Sequence, residues 1–195
     1  MNKTGAIILA AGNSSRLGHP KQLLPYHGQT LLTHTTTETL NAGLHPVGVV
    51  TGAFHTEVSD SLRGQPVEII FNPAWEEGMA SGIVAGLSKI LSLHPDVDAV
   101  IIAVCDQPFI STALLLQLVN TNETSEQRIV GCAYANSVGT PVLFGRYYFG
   151  ELLALSGSEG AKKLLKQYPD NLATIAFPDG GIDIDTEEDA QKLRG

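Results

Sequence analysis

The sequence predicts an α/β protein: a single three-layer domain with a mostly parallel, Rossmann-like sheet. Three observations predict it. Short, unbroken apolar runs recur along the chain, as strands do when both faces of a sheet are covered. Segments of helical periodicity separate these runs, which is the β–α alternation of a parallel sheet. The 195 residues, 43% of them apolar and 16% charged, suffice for one substantial core and exclude a disordered chain.

Each element follows from its local pattern. Gly5-Ala6-Ile7-Ile8-Leu9-Ala10-Ala11 is the first buried strand. Residues 30–42 suit a helix stopped by Gly43. Residues 46–51 and 67–71 form the next two strands. In residues 81–93, Ile83, Leu87, Ile90 and Leu91 share one helical face. Residues 99–105 make the most apolar strand. The pattern then loosens: 129–134 and 141–144 read as strands, and 151–168 carries helical stretches. Thr186-Glu187-Glu188-Asp189 fits a capping box opening a last short helix. Neither repeats nor a linker interrupt the chain, so residues 1–195 are expected to form one domain, with a first half of about 110 residues and a second half covering the rest.

Charge narrows the partners. Twelve Lys and Arg against twenty Asp and Glu leave a net charge of −8, which argues against a nucleic-acid binder. Phosphate, if bound, must meet a few placed cations. The apolar run at 6–11 is too short for a signal peptide, and nothing approaches the length of a membrane span. A cytoplasmic protein is expected. Cys105 and Cys132 lie in apolar segments, without Cys-x-x-Cys spacing or nearby His, and read as reduced core thiols.

In open α/β sheets, ligands bind beyond the carboxyl ends of the strands. Three segments there carry unusual chemistry. The first is Leu9-Ala10-Ala11-Gly12-Asn13-Ser14-Ser15-Arg16-Leu17-Gly18-His19-Pro20-Lys21-Gln22-Leu23-Leu24-Pro25. It is neither a Walker A loop nor a Gly-x-Gly-x-x-Gly fingerprint, which disfavours a redox dinucleotide domain. Its small residues let backbone N–H groups approach anionic oxygens, Arg16 offers a planar fork of donors and Lys21 a compact charge. By spacing alone it also fits an ordinary strand-to-helix turn. The other two segments are Asp106-Gln107-Pro108, after the most apolar strand, and Asp183-Ile184-Asp185.

The first loop resembles the signature of nucleotidyltransferases with the sugar-nucleotidyltransferase fold. The whole chain is most similar to the molybdenum cofactor cytidylyltransferases, a branch of the MobA-like nucleotidyltransferases. Four further segments carry the resemblance in order: Asn72-Pro73-Ala74-Trp75-Glu76-Glu77-Gly78-Met79-Ala80-Ser81, Cys105-Asp106-Gln107-Pro108-Phe109, Gly139-Thr140-Pro141-Val142-Leu143-Phe144, and Asp183-Ile184-Asp185-Thr186-Glu187-Glu188-Asp189. The chain departs from that family at Thr140, where the family has His, and at Ser158 and Lys162, where it has Asp and Arg. All three fall in the half that binds the acceptor in such enzymes.

The resemblance implies that the first half binds nucleotide and the second the acceptor. A phosphate of the acceptor, expected to be molybdopterin cofactor, attacks the α-phosphate of a nucleoside triphosphate, and pyrophosphate leaves. Such a transfer needs positioning and charge neutralisation, and an anionic acceptor needs no general base. Mg²⁺ is the expected cofactor, with Asp106, Asp183 and Asp185 as its candidate ligands. By their own pattern, Asp106 also fits a turn cap, and the two terminal aspartates a solvated helix cap. Arg16, Lys21 and Asp106 are the expected catalytic residues. Leu9, Ala10, Ala11, Gly12, Ser14, Arg16, Lys21, Gly78, Ser81 and Asp106 are expected to bind the nucleotide, Ser81 doubling as a candidate helix N-cap. Related guanylyltransferases carry Gly-Gly where this chain has Ala10-Ala11, which favours CTP. Guanylyl transfer, cytidylyl transfer to another small phosphorylated acceptor, and a non-catalytic nucleotide sensor remain the alternatives.

Overall fold

The computed structural model describes residues 3–14, 17–158, 160–182, 184 and 189. β1 (Thr4–Ala10) opens the chain, and a small hairpin of β2 (Pro25–Tyr26) and β3 (Gln29–Thr30) leads into α1 (Leu31–Asn41). Then follow β4 (Val47–Thr51), α2 (His55–Ser61), β5 (Glu68–Phe71), α3 (Met79–Leu93) and β6 (Ala99–Val104). The second half contains α4 (Thr112–Thr124), β7 (Ile129–Tyr134), β8 (Ser137–Gly145), α5 (Phe149–Leu153), α6 (Lys162–Gln167) and β9 (Leu172–Ala176).

Seven strands form one sheet in the order β5-β4-β1-β6-β8-β7-β9. Only β8 runs against its neighbours. The other pairings are parallel. Period-two alternation separates two cores. Ala6, Ile8 and Ala10 of β1, with Ala99, Ile101 and Ala103 of β6, pack with Leu32, Val58, Leu115 and Leu118 from α1, α2 and α4. Ile7, Val100 and Ile102 pack on the other face with Ile83, Leu87, Leu152 and Leu164 from α3, α5 and α6. Helices on both faces make the three layers that the unbroken apolar strands require.

The elements differ from the sequence expectation in definable ways. α3 begins at Met79 rather than at 81, because Gly78, at φ +106°, takes the cap position. β8 starts at 137 rather than 141 because Ala135 and Asn136, both at positive φ, form a two-residue turn that pairs Tyr134 with Ser137. The sequence reading misses α2, α4 and β9. α2 is short and buries only Val58, and β9 is an edge strand that buries only Ile175. In α4 the leucines run consecutively from 114 to 116 before a polar tail, which blurs the helical period. The capping box at 186–189 lies outside the described residues except for Asp189.

Candidate active site

The loop after β1 is held from beneath. Gln22 is 1% exposed, and its carboxamide nitrogen donates to the carbonyls of Ala10 and Gly12, each at 2.9 Å. Its Oε1 is buried and unpartnered. Ser14, at φ +49°, accepts the Lys21 backbone N–H on Oγ at 3.0 Å, and its carbonyl accepts from Leu17 and Gly18. The chain is thereby folded back so that Lys21 returns to the carboxyl end of the sheet. There its ammonium forms an ion pair with Asp106, which follows β6. The two side chains are 19% and 17% exposed, so their attraction is screened less than that of a surface pair. The Asp106 carbonyl accepts from the Ile184 N–H at 3.2 Å.

A second segment closes the opposite wall. Asn72 is buried, donates to the Ser81 hydroxyl at 2.9 Å and accepts the Ala74 N–H at 3.1 Å. The Ser81 hydroxyl lies 2.9 Å from the Ala74 carbonyl and 2.8 Å from that of Gly78, and it donates its one hydrogen within this knot. Ser81 is therefore a residue within α3 that ties the preceding turn, not its N-cap. Gly52, at the end of β4, is the point of closest approach: a side chain there would come within 2.6 Å of the Ala11 carbonyl and 2.7 Å of Trp75 Cβ.

Two cavities meet at Asp106. The first, of about 270 Å³, brings together Leu9, Ala10, Ala11, Gly12, Lys21, Gly78 and Asp106, all anticipated from sequence. Gln22, Asn72 and Trp75 also line it. Sequence reasoning misses Gln22, because a buried amide that bonds backbone carbonyls has no spacing signature, and reaches Asn72 and Trp75 only as part of the resembled segment. Two anticipated residues stand elsewhere. Ser14 shapes the loop without lining this cavity, and Ser81 borders a different one with Asn72, Glu77 and Ser156. The second cavity, of about 320 Å³, shares Met79, Val104 and Asp106 with the first and, apart from Gln107, is otherwise lined from the second half of the chain. Thr140, Ser158 and Lys162, the three departures from the resembled family, all lie on its wall. Arg16, Asp183 and Asp185 lie outside the described residues.

Both cysteines are free and buried. Burial, reinforced by the Asp106 carboxylate, pushes the Cys105 thiol up to about 12, and burial alone pushes Cys132 up to about 12. Both thiols stay neutral and are packing residues. Among the described residues no cluster of three or more His, Cys, Asp and Glu exists to cage a metal. What Asp106 offers is one hard oxygen donor at the junction of the cavities. That suits Mg²⁺ or Mn²⁺, whose shell substrate phosphates and water largely complete.

Comparison with known proteins places this geometry. The model of the MobA-like NTP transferase domain family matches residues 6–172. The chain is 32% identical to nicotine blue oxidoreductase of Paenarthrobacter nicotinovorans, with 96% of this chain and 94% of that protein aligned. It is 28% identical to the purine catabolism protein PucB of Bacillus subtilis, over the same shares. Among solved structures, Rv0371c of Mycobacterium tuberculosis superposes with a TM-score of 0.84 at 29% identity, covering 98% of this chain and 97% of that one. The same mycobacterial protein has also been solved in complex with manganese. No described helix is long and apolar enough to cross a membrane. Nucleotidyltransferases of this kind typically depend on a divalent metal and take a nucleoside triphosphate as substrate. The chain belongs to the MobA-like NTP transferase domain family and is a nucleotidyltransferase.

Proposed function

We propose that the protein transfers CMP from CTP to the terminal phosphate of molybdopterin cofactor, releasing pyrophosphate, with Mg²⁺ as cofactor. The observation that carries this reading is the meeting of two cavities at Asp106, with Lys21 beside it. A two-substrate transfer needs a donor site and an acceptor site opening on one charged centre. In this reading Leu9, Ala10, Ala11, Gly12 and Gly78 hold the nucleotide by close backbone approach, and Ser14 and Ser81 keep the loops around it in shape.

An oxygen of the acceptor phosphate attacks the α-phosphorus, the bond to the bridging oxygen of the β-phosphate breaks, and pyrophosphate departs. Lys21, freed from Asp106 when substrate arrives, neutralises charge growing on the transferred and leaving phosphates. Arg16 does the same from the loop. Asp106 is the described residue that fits the metal, and Asp183 and Asp185 are proposed as further ligands. When bound, Mg²⁺ would supply charge neutralisation and orientation of the phosphates. The reading draws on the cytoplasmic pool of CTP and places the enzyme there, with no nucleic-acid or membrane partner.

The test is to incubate the protein with each nucleoside triphosphate, Mg²⁺ and candidate phosphorylated acceptors, and to measure pyrophosphate. Release with CTP and molybdopterin cofactor alone supports the reading. GTP in place of CTP, or a phosphorylated sugar or alcohol as acceptor, redirects it within the class.

A further inference from the structure

Trp75 is the one tryptophan of the chain and opens the one-turn helix Trp75–Glu77 ahead of α3. It lines the first cavity, is only partly buried, and belongs to none of the hydrophobic clusters of the described residues. A large aromatic surface left outside the core and facing a cavity is open to a ligand. Its place is set by Gly52, just past β4. The Asn72 N–H donates to the Thr51 carbonyl at 2.9 Å, which carries the chain from β5 back over the end of β4. Trp75 then settles on Gly52 so closely that a Cβ there would come within 2.7 Å of Trp75 Cβ and 2.8 Å of its Cγ. Sheet order puts β1 between β4 and β6. With strands about 4.8 Å apart, Trp75 stands roughly 10 Å across the strand ends from Asp106, which follows β6. A nucleoside spans a gap of that order between its base and its 5′-phosphate. The charge of the cavity is at the Lys21–Asp106 end, whereas the wall at the Trp75 end includes Ala11, Asn72 and Gly78.

We propose that the indole of Trp75 is the platform on which the nucleobase stacks, so that the nucleotide lies across the ends of β4, β1 and β6 with its phosphates at Lys21 and Asp106. This rests on reading the first cavity as the nucleotide site. Stacking needs only a π face, so Trp75 adds affinity for the base and fixes which way round the nucleotide lies, while base choice is left to groups that meet the base edge. The platform also gives a reason for glycine at 52, since any side chain there would push the indole off the strand end.

The test uses the intrinsic fluorescence of the intact protein, whose tryptophan emission comes from Trp75 alone. CTP or GTP with Mg²⁺ should quench it, whereas inorganic tripolyphosphate, which has the phosphates without a base, should leave it unchanged. By calorimetry, Trp75→Leu should bind the quenching nucleotide at least about tenfold more weakly, the scale of one lost base stack. Its affinity for tripolyphosphate should stay within about twofold of wild type, because that ligand makes no stack. Trp75→Phe should keep most of the nucleotide affinity, because it keeps a ring. In Trp75→Leu the loss should fall on the KM for nucleotide more than on kcat, since a stack made in the ground and transition states alike is uniform binding. Unquenched emission at saturating nucleotide, unchanged nucleotide affinity in Trp75→Leu, or an equal loss of affinity for tripolyphosphate would each overturn the proposal. If Trp75→Leu does not fold, quenching in the wild-type protein decides alone. Pyrophosphate release is assayed separately. Quenching without transfer to any acceptor sinks the function proposed above and leaves the platform standing, and transfer without quenching does the reverse.

Discussion

Lys21 and Asp106, 85 positions apart in the chain, form an ion pair across the mouth of the cleft. The pairing lets two charges sit partly buried, since each would otherwise be desolvated alone. In the proposed mechanism this pair exchanges partners on binding, the ammonium turning to phosphate and the carboxylate to metal.

Removing the carboxylate should separate chemistry from folding. Asp106→Ala should lower turnover at least about a hundredfold, because a transition-state metal contact is worth several kcal/mol. The fold should persist with a lower Tm, since Asp106 follows the last core residues of β6 but its loss takes the carboxylate from the partly buried Lys21. Near-normal pyrophosphate release from the folded variant would remove Asp106 from the mechanism.

Lys21→Ala should weaken nucleotide binding and slow transfer together. Lys21→Arg should restore only part of either, because a broad planar fork does not replace a point charge. Arg16→Ala should show the same pair of defects. Calorimetric titration with CTP and steady-state rates give both quantities, and unchanged values in both alanine variants would leave the loop as a turn alone.

The buried Gln22 amide makes a different prediction. Gln22→Leu leaves the Ala10 and Gly12 carbonyls without their side-chain donor and should cost about 1–3 kcal/mol in chemical denaturation. The KM for nucleotide should rise as the loop loosens. A variant as stable as wild type, with an unchanged KM, would show that the loop is held by something else.

Acid stability should report a joint that lines neither cavity. Glu38 of α1 accepts the Thr112 N–H at 2.6 Å and its hydroxyl at 2.7 Å, at the start of α4. Partial burial opposes its ionisation, but the two Thr112 hydrogen bonds and the nearby His34 hold its carboxyl below the ordinary value. A carboxylate whose pKa falls on folding adds stability above its unfolded-state pKa, and that stability is lost as pH drops through the folded-state value. Between about pH 6 and about pH 3.5 the Tm of wild type should therefore fall further than that of Glu38→Gln, which cannot titrate. Parallel pH profiles would exclude the contribution.

The part of the fold legible in the sequence was the part with strong periodicity. β1, β4, β6 and α3 read clearly because their buried residues are unbroken or helically spaced. Val58 and Ile175 are single anchors in otherwise polar elements, and one anchor sets no period. In the cleft, Lys21 and Asp106 stand out in the sequence as charged residues beside apolar strands, yet their pairing depends on how the loop folds back. Ser81 illustrates the limit. A serine near a helix start reads as a cap or a ligand contact, and only the positions of the Ala74 and Gly78 carbonyls show that its hydroxyl ties a turn.

Base choice gives the last prediction, and the structure refines which alanine bears on it. Ala10 is 3% exposed, and its side chain packs in the core beneath α1. Ala11 is only partly buried, and both line the first cavity, the proposed nucleotide site. CTP should be used at least about tenfold more efficiently than GTP, a difference of roughly 1.4 kcal/mol in transition-state binding. Ala11→Gly should relax that ratio by opening space for a larger base. Ala10→Gly should instead cost about 1 kcal/mol of stability, from a lost buried methyl and a freer backbone, with the ratio little changed. The measurement is kcat/KM for the two nucleotides with one common acceptor, in wild type and both variants. A wild-type ratio near one, or in favour of GTP, rejects cytidylyl transfer. A ratio that shifts with Ala10 rather than Ala11 would mean that the base is read through the shape of the strand end rather than by the side chain beside it.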